Sequence, residues 1–207
     1  SEMCIRDRDG AFEAMTPALQ TGRVDMIMSG FYDRPKRRDL FDFVDYLKAG
    51  TQFFTLSVSK DINELGDLCG KTVSTIRGTS YPDLIAQVSK DECEAKGKTA
   101  ITTRTDNGVP QMLINLRSGR SNAAVQGLES VPAIMDAEPG TYRTLGEPLE
   151  SVYMGMAFDK KNPQLRDAFA SALKTVIANG TYDKLVAKWK LGLSALHEPT
   201  MNGEAQK

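Results

Sequence analysis

Histidine is nearly absent. The 207 residues contain one, His197, and it lies in a polar stretch close to the end of the chain. A nucleophile–histidine triad or a multi-histidine metal site therefore has nothing to be built from. A charge surplus is missing too: 26 Lys and Arg stand against 27 Asp and Glu, for a net charge of −1. That balance leaves no electrostatic footprint for nucleic acid or an anionic membrane. No apolar run approaches the roughly 20 residues that span a bilayer. No metal-ligand spacing, placeable pair of buried acids or cofactor motif is visible, so no metal and no cofactor is expected. What remains is an ordinary globular balance, 41% hydrophobic and 26% charged, in a chain long enough for one domain or two small lobes with a real core.

The ends are set apart from fold reasoning. "SEMCIRDR", residues 1–8, has no periodicity or turn logic and resembles translated sequencing-adapter sequence, so it is read as a foreign or disordered start, Cys4 included. No signal peptide is visible, and a start of this kind cannot show whether one existed. The polar ending "LHEPTMNGEAQK" is read as a flexible tail within 193–207.

Between the ends, one unit is written twice. "LQTGRVDMIMSG" (Leu19 to Gly30) and "LRSGRSNAAVQG" (Leu116 to Gly127) share L-x-[ST]-G-R-x-[DN], an apolar run and a closing glycine. Phe12, Met15 and Leu19 mark one helical face before the first copy, and Val109, Met112, Leu113 and Leu116 mark one before the second. Gly22 and Gly119 stand where left-handed C-cap glycines belong. "VDMIM" and "NAAVQ" then read as strands. Ligands of open α/β sheets sit beyond the carboxyl ends of strands, the places that Gly30 and Gly127 mark. The plainer alternative is two ordinary α/β units that share turn chemistry.

After the first copy come Arg34, Lys36, Arg37 and Arg38. Such a run is mostly a solvated face, but one arginine turned inward would bind a carboxylate with both arms. The run by itself does not say which. The stretch "ALQTGRVDMIMSGFYDRPKRRDLFDFVDY" resembles the bacterial extracellular solute-binding proteins of family 3, receptors of polar amino acid ABC importers. Their pattern is a helix, G-[KR]-x-D, a strand, S-[GS]-x-[ST]-x-[ST]-x-x-R, then F-S-x-P-Y or F-V-x-Y. "DLCGKTVSTIRGTSYPDL" and the closing "NGTYDKLVAKW" (Asn179 to Trp189) carry the same resemblance, which runs from Phe12 to about Leu191.

The resemblance implies an α/β fold of the type II periplasmic-binding-protein kind: two α/β lobes, joined by two crossover strands, closing on a ligand. Crossovers are expected near Gly50 to Leu56 and Ser151 to Met154. Residues 9–52 would begin lobe 1, 53–152 form lobe 2 and 153–192 return to lobe 1. Lobe 1 would be incomplete, because the family's first β-α-β stretch is not seen before Phe12.

Carried over residue by residue, the resemblance places Arg37 on the arginine that holds the ligand α-carboxylate. Ser29 and Gly30 fall on strand-end contact positions, Tyr32 where a small hydroxyl residue is usual, and Phe12 on an aromatic that stacks on the ligand. Phe12 is equally readable as a core residue of its helix. Arg77, Thr79 and Ser80 fall in the strand–turn–helix of lobe 2. There Thr79 or Ser80 can cap a helix whose free N–H groups favour an anion. Gly127 stands where the family usually has an aspartate for the ligand α-ammonium. Either another acid serves, with Glu129 nearest, or the absent part of lobe 1 supplies it, or the ligand lacks that group.

The family also has some members with a cysteine pair at the places of Cys69 and Cys93. A strand–helix–strand run brings both to the strand-starting end of lobe 2, away from the cleft, so a structural disulfide is expected there. The alternatives are two unpaired cysteines in a reduced compartment or a metal pair, though the spacing fits no zinc pattern. A disulfide would place the protein in an oxidising space. The implied role is a non-enzymatic receptor, periplasmic or extracellular and lipid-anchored in a full-length form. It would be a monomer that binds an amino acid or other small carboxylate, partners ABC permease subunits and does not bind nucleic acid. An enzyme of the same fold, dehydratase-like with Glu129 as general acid, or a ligand-sensing module is the competing class.

Overall fold

The computed structural model of the protein describes residues 5–189 and 191–205. Cys4 lies outside them. Helix α1 (Phe12–Gln20) leads to strand β1 (Met26–Ile27). Strand β2 (Tyr32–Asp33), helix α2 (Pro35–Arg38) and the long strand β3 (Phe41–Leu56) come after it. Next come β4 (Thr72–Ile76), α3 (Tyr81–Glu92), β5 (Thr102–Asp106), α4 (Val109–Arg117), β6 (Ala123–Gly127) and α5 (Val131–Ala137). The second long strand, β7 (Tyr142–Asp159), precedes α6 (Pro163–Ala178), α7 (Thr181–Lys188), β8 (Ala195–Met201) and β9 (Glu204–Ala205).

The strands form one sheet in the order β1-β7-β3-β6-β4-β5, with β2 also on β7 and β8 also on β3. The two long strands are its spine. They pair antiparallel from Phe41↔Asp159 to Leu56↔Tyr142, with register shifts between Asp45 and Leu47, Ala49 and Thr51, and Thr51 and Phe53. Irregular pairing in the middle of two otherwise regular strands bends and twists them there, so the two halves of the sheet face each other across a cleft. In one half β4 pairs parallel with β5 and β6, and α4 packs Met112 and Leu116 on Phe54, Ala124 and Tyr142. In the other half Leu19 of α1 packs with Ile27, Phe31, Phe41 and Phe43. Gly22 and Gly119 end their helices in the left-handed conformation, at φ +67° and +72°.

Two local expectations change. The first-copy strand is only Met26–Ile27 and pairs on one side alone, because Val24 and Asp25 are spent on the bend that leaves α1. The segment expected to be a flexible tail, 193–207, is not free over its described part, which ends at residue 205. β8 pairs Val44↔Met201, Asp45↔Thr200 and Leu47↔Ala195 with β3 and turns through Asn202 and Gly203, both at positive φ, into β9. The Asn-Gly pair is a strong hairpin signal that a reading by polarity passes over. Thr200 then donates to the buried Asp45 carboxylate at 2.7 Å.

That carboxylate predicts a pH effect. Burial pushes Asp45 from 3.8 up to about 6, against hydrogen bonds from Thr200 and Gly203 and with added repulsion from Asp33. Below about pH 4 both folded and unfolded chains hold this proton. Between about pH 4 and 6 the unfolded chain ionises first, so stability is lost as pH rises. The loss from this group should total about 3 kcal/mol by pH 7. Urea midpoints at pH 4 and pH 7 should show Asp45→Asn removing that part of the pH dependence.

Cys69 and Cys93 form a disulfide, with Cα atoms 5.4 Å apart. It ties the start of β4 to the C-terminal end of α3, the end away from the cleft. Closing a loop of 24 residues' separation stabilises by about 3 kcal/mol in the chain-entropy model. Reduction should therefore lower the urea midpoint by a matching amount. An unchanged midpoint in reductant would show that the bond does not restrain the unfolded chain.

Candidate functional site

A cavity of about 170 Å³ opens where the two halves of the sheet meet. One wall comes from the first repeated unit and the segment just after it: Phe12 at the start of α1, Ser29 and Gly30 beyond β1, Tyr32 on β2 and Arg37 on α2. The facing wall carries Thr79 and Ser80 before α3, Tyr81 at its first turn, and Gln126, Glu129 and Ser130 at the end of β6. Tyr81, Gln126 and Ser130 are lining residues that sequence reasoning missed. Their signal was position alone: Tyr81 follows the marked cap residue Ser80, Gln126 ends the marked strand, and Ser130 follows Glu129.

The arginine run separates by partner. Arg34 makes a two-armed ion pair with Glu150, at 2.9 and 2.6 Å. Arg38 donates to the fully buried carboxylate of Asp33 at 2.6 Å. Arg37 has no carboxylate partner among the described residues. It donates to the Tyr32 carbonyl at 2.9 Å and the Gly78 carbonyl at 3.4 Å, and its guanidinium lies 3.9 Å above the Phe31 ring. Phe12 packs beside them in a tilted arrangement, 5.7 Å from the Phe31 ring. Burial, and then the positive charge of Arg34, lower the Arg37 pKa to about 10. It still carries its charge at neutral pH.

Opposite stands the start of α3. Thr79 Oγ1 accepts from the Tyr81 backbone N–H at 3.4 Å and donates to the Ile76 carbonyl at 2.7 Å. Ser80 is the residue before the first turn but makes no side-chain cap bond. Its hydroxyl is buried without a partner among the described residues. The cavity thus sets a fixed cation against the start of a helix and an unspent hydroxyl.

Two expected positions lie off the lining. Arg77 turns to the rim, where its half-exposed side chain pairs with Glu13 at 3.5 Å. Gly127 is covered: a Cβ built on it would overlap the Glu129 carboxylate and the Tyr32 hydroxyl. Tyr32 donates toward Glu129 at 3.3 Å and lies 3.1 Å from the Gly50 carbonyl, while Tyr81 donates to Tyr32 at 3.2 Å. Burial raises both tyrosine hydroxyls well above their ordinary value. It also raises the Glu129 carboxyl, against hydrogen bonds from its own backbone N–H, Tyr32 and Ser130. Among the described residues, no helix is long and apolar enough to cross a membrane and no group of three or more His, Cys, Asp or Glu could hold a metal.

Residues 5–192 match the family model of bacterial extracellular solute-binding proteins, family 3. The match takes in residues 5–8, part of the segment expected to be foreign. An arginine-binding protein of Corynebacterium glutamicum is 28% identical over 191 residues, covering 92% of this chain and 62% of that protein. The chain thus spans less than two thirds of that relative. A histidine-binding periplasmic protein of Salmonella typhimurium is 27% identical over 189 residues, covering 87% of this chain and 70% of that protein. Among solved structures, an ancestral arginine-binding protein bound to arginine superposes with a TM-score of 0.79 at 27% identity, covering 88% and 78% of the two chains. These neighbours have the two-lobed type II periplasmic-binding fold, and the relatives are binding proteins. The chain belongs to family 3 of the bacterial extracellular solute-binding proteins.

Proposed function

We propose that this chain is the ligand-capturing part of the solute-binding protein of an ABC importer. It takes a small carboxylate-bearing solute, an amino acid or close derivative, into the cleft, and the closed, loaded form is what a permease receives outside the inner membrane. The lobe limits at residues 52–53 and 152–153 belong to this reading, as does the absence of catalysis. Arg37 carries it: a half-buried guanidinium, charged at neutral pH and without an acidic partner among the described residues, faces the cavity and is best completed by an anion. The start of α3 supplies the other half of a carboxylate site. A competing enzymatic reading draws on Glu129, half-buried in the cavity lining with a raised pKa, since cleft acids of that kind serve as general acids.

One experiment addresses both. Titration calorimetry with L-arginine, L-histidine and L-glutamine, followed by chromatography of the recovered ligand, should show saturable binding with the ligand intact. Turnover would favour the enzyme, and no binding of any of the three would overturn the amino acid reading.

A further inference from the structure

The amino acid reading leaves open what receives a ligand's cationic group. The position closest to the strand end, Gly127, has no side chain to offer. The geometry around it is nevertheless specific. The end of β6 is held to β3 through the Leu128 N–H on the Gly50 carbonyl at 2.8 Å, and a turn closes through the Ser130 N–H on the Gly127 carbonyl at 2.9 Å. Between those two anchors Glu129 folds back over its own strand, into the space a Cβ at Gly127 would fill.

The Glu129 carboxylate makes no ion pair among the described residues. Its hydrogen-bond partners are all neutral: the Tyr32 hydroxyl, its own backbone N–H and the Ser130 hydroxyl. Tyr32 has one proton to donate. It has the Gly50 carbonyl at 3.1 Å and the two Glu129 oxygens at 3.3 and 3.5 Å within reach. The bonds to Glu129 are the long ones, so the carboxylate keeps acceptor capacity on the cavity side. A half-buried acid with spare lone pairs and no cation is an arrangement that a cationic ligand group relieves.

We propose that Gly127, Glu129 and Tyr32 work as one specificity device: the bare Gly127 lets Glu129 fold back, and its carboxylate, gripped by Tyr32 from the opposite wall, receives the ammonium of a ligand whose carboxylate Arg37 holds. The device rests on the amino acid reading above. It makes the size of residue 127 and the identity of residue 129 interdependent, because a side chain at 127 and the folded-back acid occupy one volume.

The test pairs each amino acid with its deamino analogue: L-arginine with 5-guanidinopentanoate, L-glutamine with glutaramate, and L-histidine with imidazolepropionate. The amino acid that binds should do so roughly 30-fold or more tighter than its analogue, the margin of a buried charged contact. Glu129→Gln should erase that margin, bringing the amino acid and its analogue to comparable affinities. Gly127→Ala should weaken amino acid binding as Glu129→Gln does. It should also lower the urea midpoint of the parent chain, but not that of a chain already carrying Glu129→Ala and Tyr32→Phe. Binding whose margin survives Glu129→Gln overturns the device and leaves the amino acid reading intact. No binding of any of the three amino acids overturns both. A Gly127→Ala effect on the urea midpoint that persists without Glu129 and the Tyr32 hydroxyl overturns the shared volume.

Discussion

Arg37→Ala is expected to lower the affinity for an amino acid ligand by about a thousandfold, near 4 kcal/mol, the scale of removing one partner of a buried, hydrogen-bonded charge pair. Arg37→Lys should recover only part of this, because an ammonium lacks the planar fork that gives a carboxylate two parallel N–H groups from over the Phe31 ring. The neighbouring arginines provide the contrast. Arg38→Ala strands Asp33, whose side chain is fully buried, so it should lower stability by roughly 2 kcal/mol. Its effect on affinity should stay within about threefold, the ordinary range for a site that touches no ligand. Arg34→Ala removes the two-armed bond to Glu150 and should likewise act on the urea midpoint more than on binding. Calorimetry and denaturation on the three variants decide the matter. Full binding by Arg37→Ala together with lost binding by Arg38→Ala would reverse the assignment.

Gly78→Val is expected to cost about 4 kcal/mol, from a left-handed backbone and an overpacked contact together. Gly78 has φ +80°, and a Cβ there would lie 2.6 Å from the Glu13 Cα, a backbone atom that cannot swing aside. Glu13 belongs to α1 and Gly78 to the turn between β4 and α3, so this contact lies where the two cleft walls meet. The Arg77–Glu13 pair reinforces the meeting at 3.5 Å, and the exposed Lys36–Asp83 pair at 3.2 Å. A side chain at 78 should thus hold the walls apart and weaken ligand capture as well as stability. Gly97→Ala is the control. Its φ is +68° but nothing lies within 4 Å of the added atom, so it should lose only the roughly 1–2 kcal/mol of left-handed strain. If Gly78→Ala and Gly97→Ala lower stability equally and neither alters ligand affinity, the close approach has no functional weight.

Much of this protein is determined locally, and those parts are legible in the residues alone. The helix faces of Phe12–Leu19 and Val109–Leu116, their C-cap glycines Gly22 and Gly119, and a strand at "NAAVQ" follow from periodicity, an apolar run and backbone sterics. Both copies of the repeated unit end at the cavity, through Gly30 and Gln126. The disulfide is legible from element order together with a resemblance. Other features belong to the tertiary structure because they depend on what arrives from elsewhere in the chain. Four basic residues in five positions look alike in one dimension. Glu150 arrives from a distant strand to engage Arg34 and Asp83 from a helix to engage Lys36, the neighbouring Asp33 turns to Arg38, and Arg37 is left over Phe31. The hairpin Ala195–Ala205 is polar in sequence and becomes a strand because the free edge of β3 and the buried Asp45 give its backbone and Thr200 partners. Gly127 reads as a missing acid until the fold shows that the space it vacates is taken by Glu129 and Tyr32. A sequence lists which groups are present, and only packing decides which of them share a volume.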